Sequence, residues 1–207
     1  MLWRASTRRA PAEAPKESTS DVRAKPAERA SPGLAALFDT LREGGNHSVL
    51  DLGPARGRHL HVLAPFGRQV RFAGLVPRSS VGEAWATALR ALPPNASSPY
   101  DVVLAWDLLI WLDPVERAAA TARLAEITAP RARIHLIVDG TGAATAQPLE
   151  YTLVGTGRVA EQAVGPPQRV SHPLLPAQLE RALSPLEVMR AFVLRTGARE
   201  FVAKKRG

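Results

Sequence analysis

The 207-residue chain has no cysteine. That excludes disulfides, thiolate zinc sites and cysteine nucleophiles, and it suits a reducing compartment. Aromatic residues are scarce at 5%, and only four of the 27 basic residues are lysine. No run approaches the roughly 18 apolar residues that a membrane-crossing helix needs. The most apolar stretch, Val102 to Leu112, is broken by Asp107. Met1-Leu2-Trp3-Arg4 carries charge without an apolar core behind it, so no secretory signal is expected. The Arg and Ser content that follows resembles a transit peptide, but Glu13, Glu17 and Asp21 argue against one. A cytoplasmic protein without membrane contact is the expectation.

What is present is apolar content of 45%, charged content of 22% and a formal charge of +8, a soluble globular composition. A positive balance admits nucleic acid, an anionic surface or an acidic substrate as partner. Here Arg numbers 23 and Ala 35, spread along the whole chain, which reads as a compositional bias rather than a patch. Only Arg8-Arg9 and Lys204-Lys205-Arg206 cluster. Nucleic acid is therefore not the expected partner.

Residues 1–30 hold Pro11, Pro15 and Pro26 among Ala, Ser and charged residues, with little large apolar surface after Trp3. Such a segment is expected to be a disordered tail, and residues 31–207 a single α/β domain. Ser31-Pro32 has helix-start chemistry, and Leu34, Leu37, Phe38 and Leu41 follow at helical spacing as far as Gly44-Gly45. Ser48 to Gly53 predicts a buried strand, Arg58 to Phe66 a helix with Leu60, Leu63 and Ala64 inward, and Gln69 to Val76 a second strand. A helix over Val81 to Leu92 leads through a Pro-rich loop to a third strand, Tyr100 to Ala105. Asp113-Pro114-Val115-Glu116 opens a helix that Pro130 ends, and Arg133 to Asp139 is a fourth strand. Gly140 to Pro173 is a long covering segment with a strand at Tyr151 to Val154. A short helix at Pro176 to Leu183 and an antiparallel pair around Thr196-Gly197 close the chain.

Strands alternating with helices predict a doubly wound, mostly parallel sheet with helices on both faces. Its crevice should gather Asp51 to Gly57, Val76 to Ser79, Ala105 to Trp111 and Asp139 to Thr141. Asp51-Leu-Gly53-Pro-Ala55-Arg-Gly57 is the most informative segment. Gly53 allows a tight turn, Ala55 lets a ligand approach the backbone, and Gly57 is expected to allow close packing where the helix begins.

Val49 to Gly57 resembles motif I of the class I S-adenosylmethionine-dependent methyltransferases, and Tyr100 to Asp113 resembles that family's fourth strand and following loop. Val188 to Arg206 is similar to its closing hairpin. The resemblance implies a Rossmann-like transferase with S-adenosylmethionine as cofactor and an unknown methyl acceptor. It places Asp51, Gly53, Ala55, Gly57, Val76 and Trp106 at the cofactor and makes Asp107 the candidate base. Trp106 and Trp111 are stacking groups for adenine or an acceptor, or core residues. Arg158, Arg169 and His172 in the covering segment would face an anionic acceptor, or solvent.

The family pattern is incomplete. Val76 stands where an acidic residue usually holds the ribose, Arg78, Ser79 and Glu83 do not replace it, and the usual third strand is expected to be missing. A degenerate methyltransferase-like domain serving as a binding or interaction module is the alternative. Gly-x-Gly-x-x-Gly is not met, which weighs against a nicotinamide dinucleotide. An RNA-linked role would rest on the basic tails alone. His59 and His61 point to different sides of one helix, His135 is expected to be a satisfied core residue, and no metal is expected.

Overall fold

A computed structural model describes residues 26–75, 90–92 and 99–205. Val76, Arg78, Ser79, Glu83 and most of the expected helix over 81–92 lie outside the described residues.

The central sheet is mixed and mostly parallel. Strands β2 (His47–Asp51), β3 (Gly67–Phe72), β4 (Tyr100–Leu104) and β5 (Thr128–Val138) run parallel, and β10 (Leu186–Val193) and β11 (Arg199–Lys205) join antiparallel. The order across the sheet is β10-β11-β5-β4-β2-β3. Among the described residues β3 is one edge. A second, three-stranded antiparallel sheet is formed by β1 (Ala27–Ala30), β7 (Leu149–Gly155) and β8 (Arg158–Ala163), in the order β1-β8-β7. Two further short strands, β6 (Thr145–Ala146) and β9 (Gln168–Arg169), pair with each other.

Side chains of a strand alternate between faces, and this parity divides the core in two. Leu50, Val103, Ile134, Leu136, Phe201 and Ala203 face one way, onto α3 (Pro114–Ile127) and α4 (Leu179–Leu183). Val49, Val102, Leu104, Ile137 and Val202 face the other way, onto α1 (Pro32–Phe38), α2 (Gly57–Leu63) and the three-stranded sheet. The same parity puts four polar or aromatic residues, Asp51, Trp106, His135 and Glu200, on this second side, all of them buried.

Several local expectations are corrected. Ala27–Ala30, placed in the disordered tail, pairs with Arg158–Glu161 as an edge strand. It adds a third strand to a hairpin that would be marginal alone. α1 ends at Phe38 rather than near Gly44. β5 begins at Thr128, so Pro130 lies within a strand, where a register shift and the positive φ of Arg131 (68°) accommodate it. In α2 the inward residues are His59 and Leu63, while Leu60 is half exposed. The covering segment holds four strands rather than one.

α3 starts as its sequence predicts. Asp113 Oδ1 accepts from the Glu116 amide at 2.8 Å, Glu116 Oε2 accepts from the Asp113 amide at 2.9 Å, and Pro114 opens the first turn.

Candidate functional site

β2 ends at Asp51 because the chain must turn there. The following loop sends Leu52 back to β4, where its amide donates to the Leu104 carbonyl. Asp51 is fully buried beneath this loop. Its Oδ1 accepts from the Gly53 amide at 2.9 Å and from the Trp106 indole N–H at 2.7 Å. Its Oδ2 lies 2.5 Å from His59 Nδ1. His59 Nε2 is 3.1 Å from the carbonyl oxygen of Tyr151. Both partners of the imidazole are acceptors, and whichever ring nitrogen carries a proton donates. Three protein groups therefore surround one buried carboxyl group, so that its oxygens are paired.

Trp106 follows β4 with a φ of 50°, a left-handed conformation that costs a bulky residue on the order of 1–3 kcal/mol. Its surroundings hold it there. The carbonyl accepts from the Ile137 amide at 2.7 Å, and the indole stacks on Tyr151 with centroids 5.1 Å apart and planes 2° from parallel. His59 and His135 flank the ring at 5.8 and 5.9 Å. A hydrogen bond to a charged group contributes about 1.5–3 kcal/mol, and an aromatic pair adds about 0.5–1.5 kcal/mol.

Gly53 sits at this close approach. A Cβ there would meet Asp51 Oδ1 and Trp106 Nε1, each at 3.2 Å. Gly57 is different: a Cβ there would meet nothing within 4 Å. The close packing expected at Gly57 is corrected, because α2 leaves open space at its first turn. Ala55 is exposed. Arg56 turns aside to pair with Glu150.

Of the expected crevice segments, the fold brings together Asp51 to Gly53 and Ala105 to Asp107. Asp139 and Thr141 bond to each other instead, and Asp139 lines a separate small cavity with Ile110 and Gly142. The space between Gly53, Trp106, Asp107, Leu149 and Tyr151 is about 20 Å³, room for about one water molecule. Pockets that hold cofactor-sized ligands are roughly 300–1,000 Å³. Among the described residues, with Trp106 in place, this space is too small for an adenosyl group, and the donors to Asp51 are protein groups.

Asp107 stands beside this space, buried, and accepts from the Trp111 indole N–H at 3.2 Å. Burial pushes its carboxyl up to about 7, against the opposing hydrogen bonds of Trp111 and Tyr151. Burial and the nearby Asp107 likewise raise the Tyr151 phenol.

On the far side of Trp106 lies a second buried acid. Glu200 takes both of its oxygens to Ser31 Oγ at 2.9 Å, accepts from the Gly33 amide at 2.7 Å and pairs with Arg29 at 2.5 Å. Burial alone would raise this carboxyl. The neighbouring His135, Arg29 and the Gly33 amide outweigh burial and hold it at about 2. His135 Nε2 is 3.8 Å from Glu200 Oε2, an ionic separation too long for a hydrogen bond. Both ring nitrogens of His135 lack a hydrogen-bond partner among the described residues, which corrects the expectation that His135 is satisfied.

A larger opening lies past Trp111. It measures about 550 Å³, with Ile110, Leu112 and Val170 at its apolar side and Asp113, Arg169 and His172 among its polar groups. Arg117 fixes its wall by donating to the carbonyls of Leu109 and His172, which ties the covering segment to α3. Arg158 is elsewhere, paired with Glu28.

Tyr151 and Glu200 are not singled out by sequence, and His59 is weighed there only as a metal ligand. The available signal was strand parity: Asp51, Trp106, His135 and Glu200 fall on one side of adjacent strands once the strand order is known. Tyr151 comes from the covering segment, for which no sheet order was readable.

No family model matches the chain, and no curated protein matches it by sequence. Solved structures do match. The CcbJ methyltransferase from Streptomyces caelestis is 16% identical at a TM-score of 0.52, over 84% of this chain and 94% of that one. A Burkholderia thailandensis 1,6-didemethyltoxoflavin-N1-methyltransferase, solved with S-adenosylhomocysteine bound, is 18% identical at 0.50, over 85% of this chain and 77% of that one. An S-adenosylmethionine-dependent methyltransferase from Mesorhizobium loti is 13% identical at 0.50, over 84% and 96%. With the sheet order and the loop after β2, these matches give the chain the fold of the class I S-adenosylmethionine-dependent methyltransferases.

Proposed function

We propose that this chain is a methyltransferase-fold binding module for a small molecule, with the 550 Å³ cleft beside α3 as its ligand site and the hollow beneath Gly53 closed. One observation carries the proposal: the Trp106 indole lies on Asp51 and Tyr151 and leaves only about 20 Å³ beside Gly53. The sheet ending at β3, without the usual third strand, belongs to the same proposal. Its support is that the sequence between β3 and β4 suggests only a helix and a Pro-rich loop.

A second assignment is S-adenosylmethionine-dependent methyl transfer to a small-molecule acceptor. Two observations favour it. The fold is shared with methyltransferases, one of them solved with S-adenosylhomocysteine bound. Asp107, beside the hollow, titrates at about 7, the range suited to a general base at neutral pH. It requires Trp106 to withdraw, after which Asp51, Gly53 and Asp107 would face the cofactor. Ala55 and Gly57 would lie at its margin.

Calorimetry on the full chain with S-adenosylmethionine and S-adenosylhomocysteine separates the two. The binding module gives no heat up to high-micromolar ligand. Micromolar affinity that Asp51→Ala abolishes supports methyl transfer and overturns the module.

A further inference from the structure

We infer that the cleft past Trp111 takes a zwitterion of amino-acid type, with its ammonium at Asp113 and Glu116, its carboxylate at Arg169, and its apolar body on Trp111, Ile110 and Val170. This deepens the binding-module assignment and rests on its choice of cleft, not on the closed hollow at Gly53. Two segments wall the opening: the start of α3 with the residues before it, and the stretch from β9 to His172. They carry opposite charge. Asp113 Oδ1 and Glu116 Oε2 each accept from the other residue's backbone amide, so the cap leaves one oxygen of each carboxylate unused. On the second wall Arg169 makes no ion pair and no side-chain hydrogen bond among the described residues, whereas Arg29, Arg56, Arg123 and Arg158 each pair with a carboxylate. One cation and two carboxylates thus line a single opening of about 550 Å³ without closing on each other. Neither wall is loose. Gln168–Arg169 is hydrogen-bonded to Thr145–Ala146, the Val170 amide donates to the Ala144 carbonyl at 2.8 Å, and Arg117 holds the carbonyls of Leu109 and His172. The walls select the charge of the ligand. An anion would gain Arg169 but face two carboxylates, and a cation would meet the reverse. A molecule with both charges pairs with both walls and brings no net charge into the cleft. Ile110 and Val170 supply buried apolar surface, and Trp111, fixed by its bond to Asp107, offers a ring to an apolar side chain or to the ammonium itself. The volume lies in the range of small-molecule sites and admits a free amino acid or a dipeptide.

The probes are L-phenylalanine and glycyl-L-phenylalanine, with phenethylamine and 3-phenylpropanoate as analogues that carry one charge each. Calorimetry on the full chain gives the affinities. The Trp111 indole N–H resonance, assigned by its loss in Trp111→Phe, shows whether a probe sits in the cleft. At least one zwitterion should shift that resonance and bind at least about tenfold more tightly than both single-charge analogues; the tighter zwitterion distinguishes a free amino acid from a dipeptide. Arg169→Ala should weaken the zwitterion by about tenfold and leave phenethylamine no weaker. Asp113→Asn combined with Glu116→Gln keeps both capping acceptors; it should weaken the zwitterion and leave 3-phenylpropanoate no weaker. The wild type alone already decides. A single-charge analogue that shifts Trp111 and binds within about tenfold of the zwitterions overturns the inference and leaves the cleft a ligand site. No Trp111 shift by either zwitterion at millimolar concentration also overturns it, and the S-adenosylmethionine calorimetry still decides the module assignment separately. S-adenosylmethionine binding that Asp51→Ala abolishes sinks the module assignment, and a zwitterion held at Trp111 then stands without it.

Discussion

Trp106 and Tyr151 lie face to face, 5.1 Å apart and 2° from parallel, although one follows a central strand and the other sits in the covering sheet. The contact links the two sheets directly over Asp51. The Tyr151 carbonyl also lies 3.1 Å from His59 Nε2, and the Tyr151 phenol is one of the groups that oppose the rise of the Asp107 carboxyl.

The Gly53–Trp106 approach should appear as thermodynamic coupling. Gly53→Ala forces a Cβ to 3.2 Å from the indole nitrogen and should cost about 1–3 kcal/mol by overpacking. In a Trp106→Ala background that cost should fall by at least about 0.5 kcal/mol, as expected for residues in contact. Urea unfolding of the four proteins of the cycle measures it. Additive losses would mean the two groups do not press on each other.

Asp107 should make stability fall as pH rises. Its folded carboxyl titrates at about 7 against an ordinary value of 3.8, so the folded state holds the proton more tightly. Stability is then highest below about pH 4, declines between 4 and 7, and loses no more through this group above 7. Asp107→Asn, which keeps an acceptor for Trp111, should raise the Tm at pH 8 and leave it near wild type at pH 4. An equal shift at both values would refute the assignment.

Glu200 has the opposite sign. Its folded carboxyl titrates at about 2 against 4.5, so its contribution is complete above about pH 4.5 and disappears as pH falls through 2. Glu200→Gln should destabilise at pH 7, since it removes the charge held by Arg29, Ser31 and the Gly33 amide, and Arg29 keeps only its pair with Glu161. The difference between variant and wild type should shrink steadily in unfolding curves taken from pH 4.5 to 2.

The α3 capping box gives a local control. Asp113→Ala removes the acceptor for the Glu116 amide and should cost about 0.5–2 kcal/mol in urea unfolding. Asp113→Asn or Asp113→Ser should recover most of it. A loss with no recovery would show that Asp113 acts through the neighbouring cleft instead of the cap.

The sequence by itself determined the elements whose signals are local. The Asp113-Pro114-Glu116 start of α3, the Ser31-Pro32 start of α1 and the apolar runs of β2 and β4 are all readable, because caps and short buried strands depend on residues within a few positions of each other. The motif from Asp51 to Gly57 was legible as a loop after a strand for the same reason. What closes that loop was not. The Asp51–Trp106 bond spans 55 positions, His59 to Tyr151 spans 92, and Ser31 to Glu200 spans 169. Residues this far apart meet only when strand order and side-chain parity are set together. The character of Trp106 in sequence does not show what its ring meets. Only the packing of the covering sheet decided that, by setting Tyr151 against the indole above Asp51.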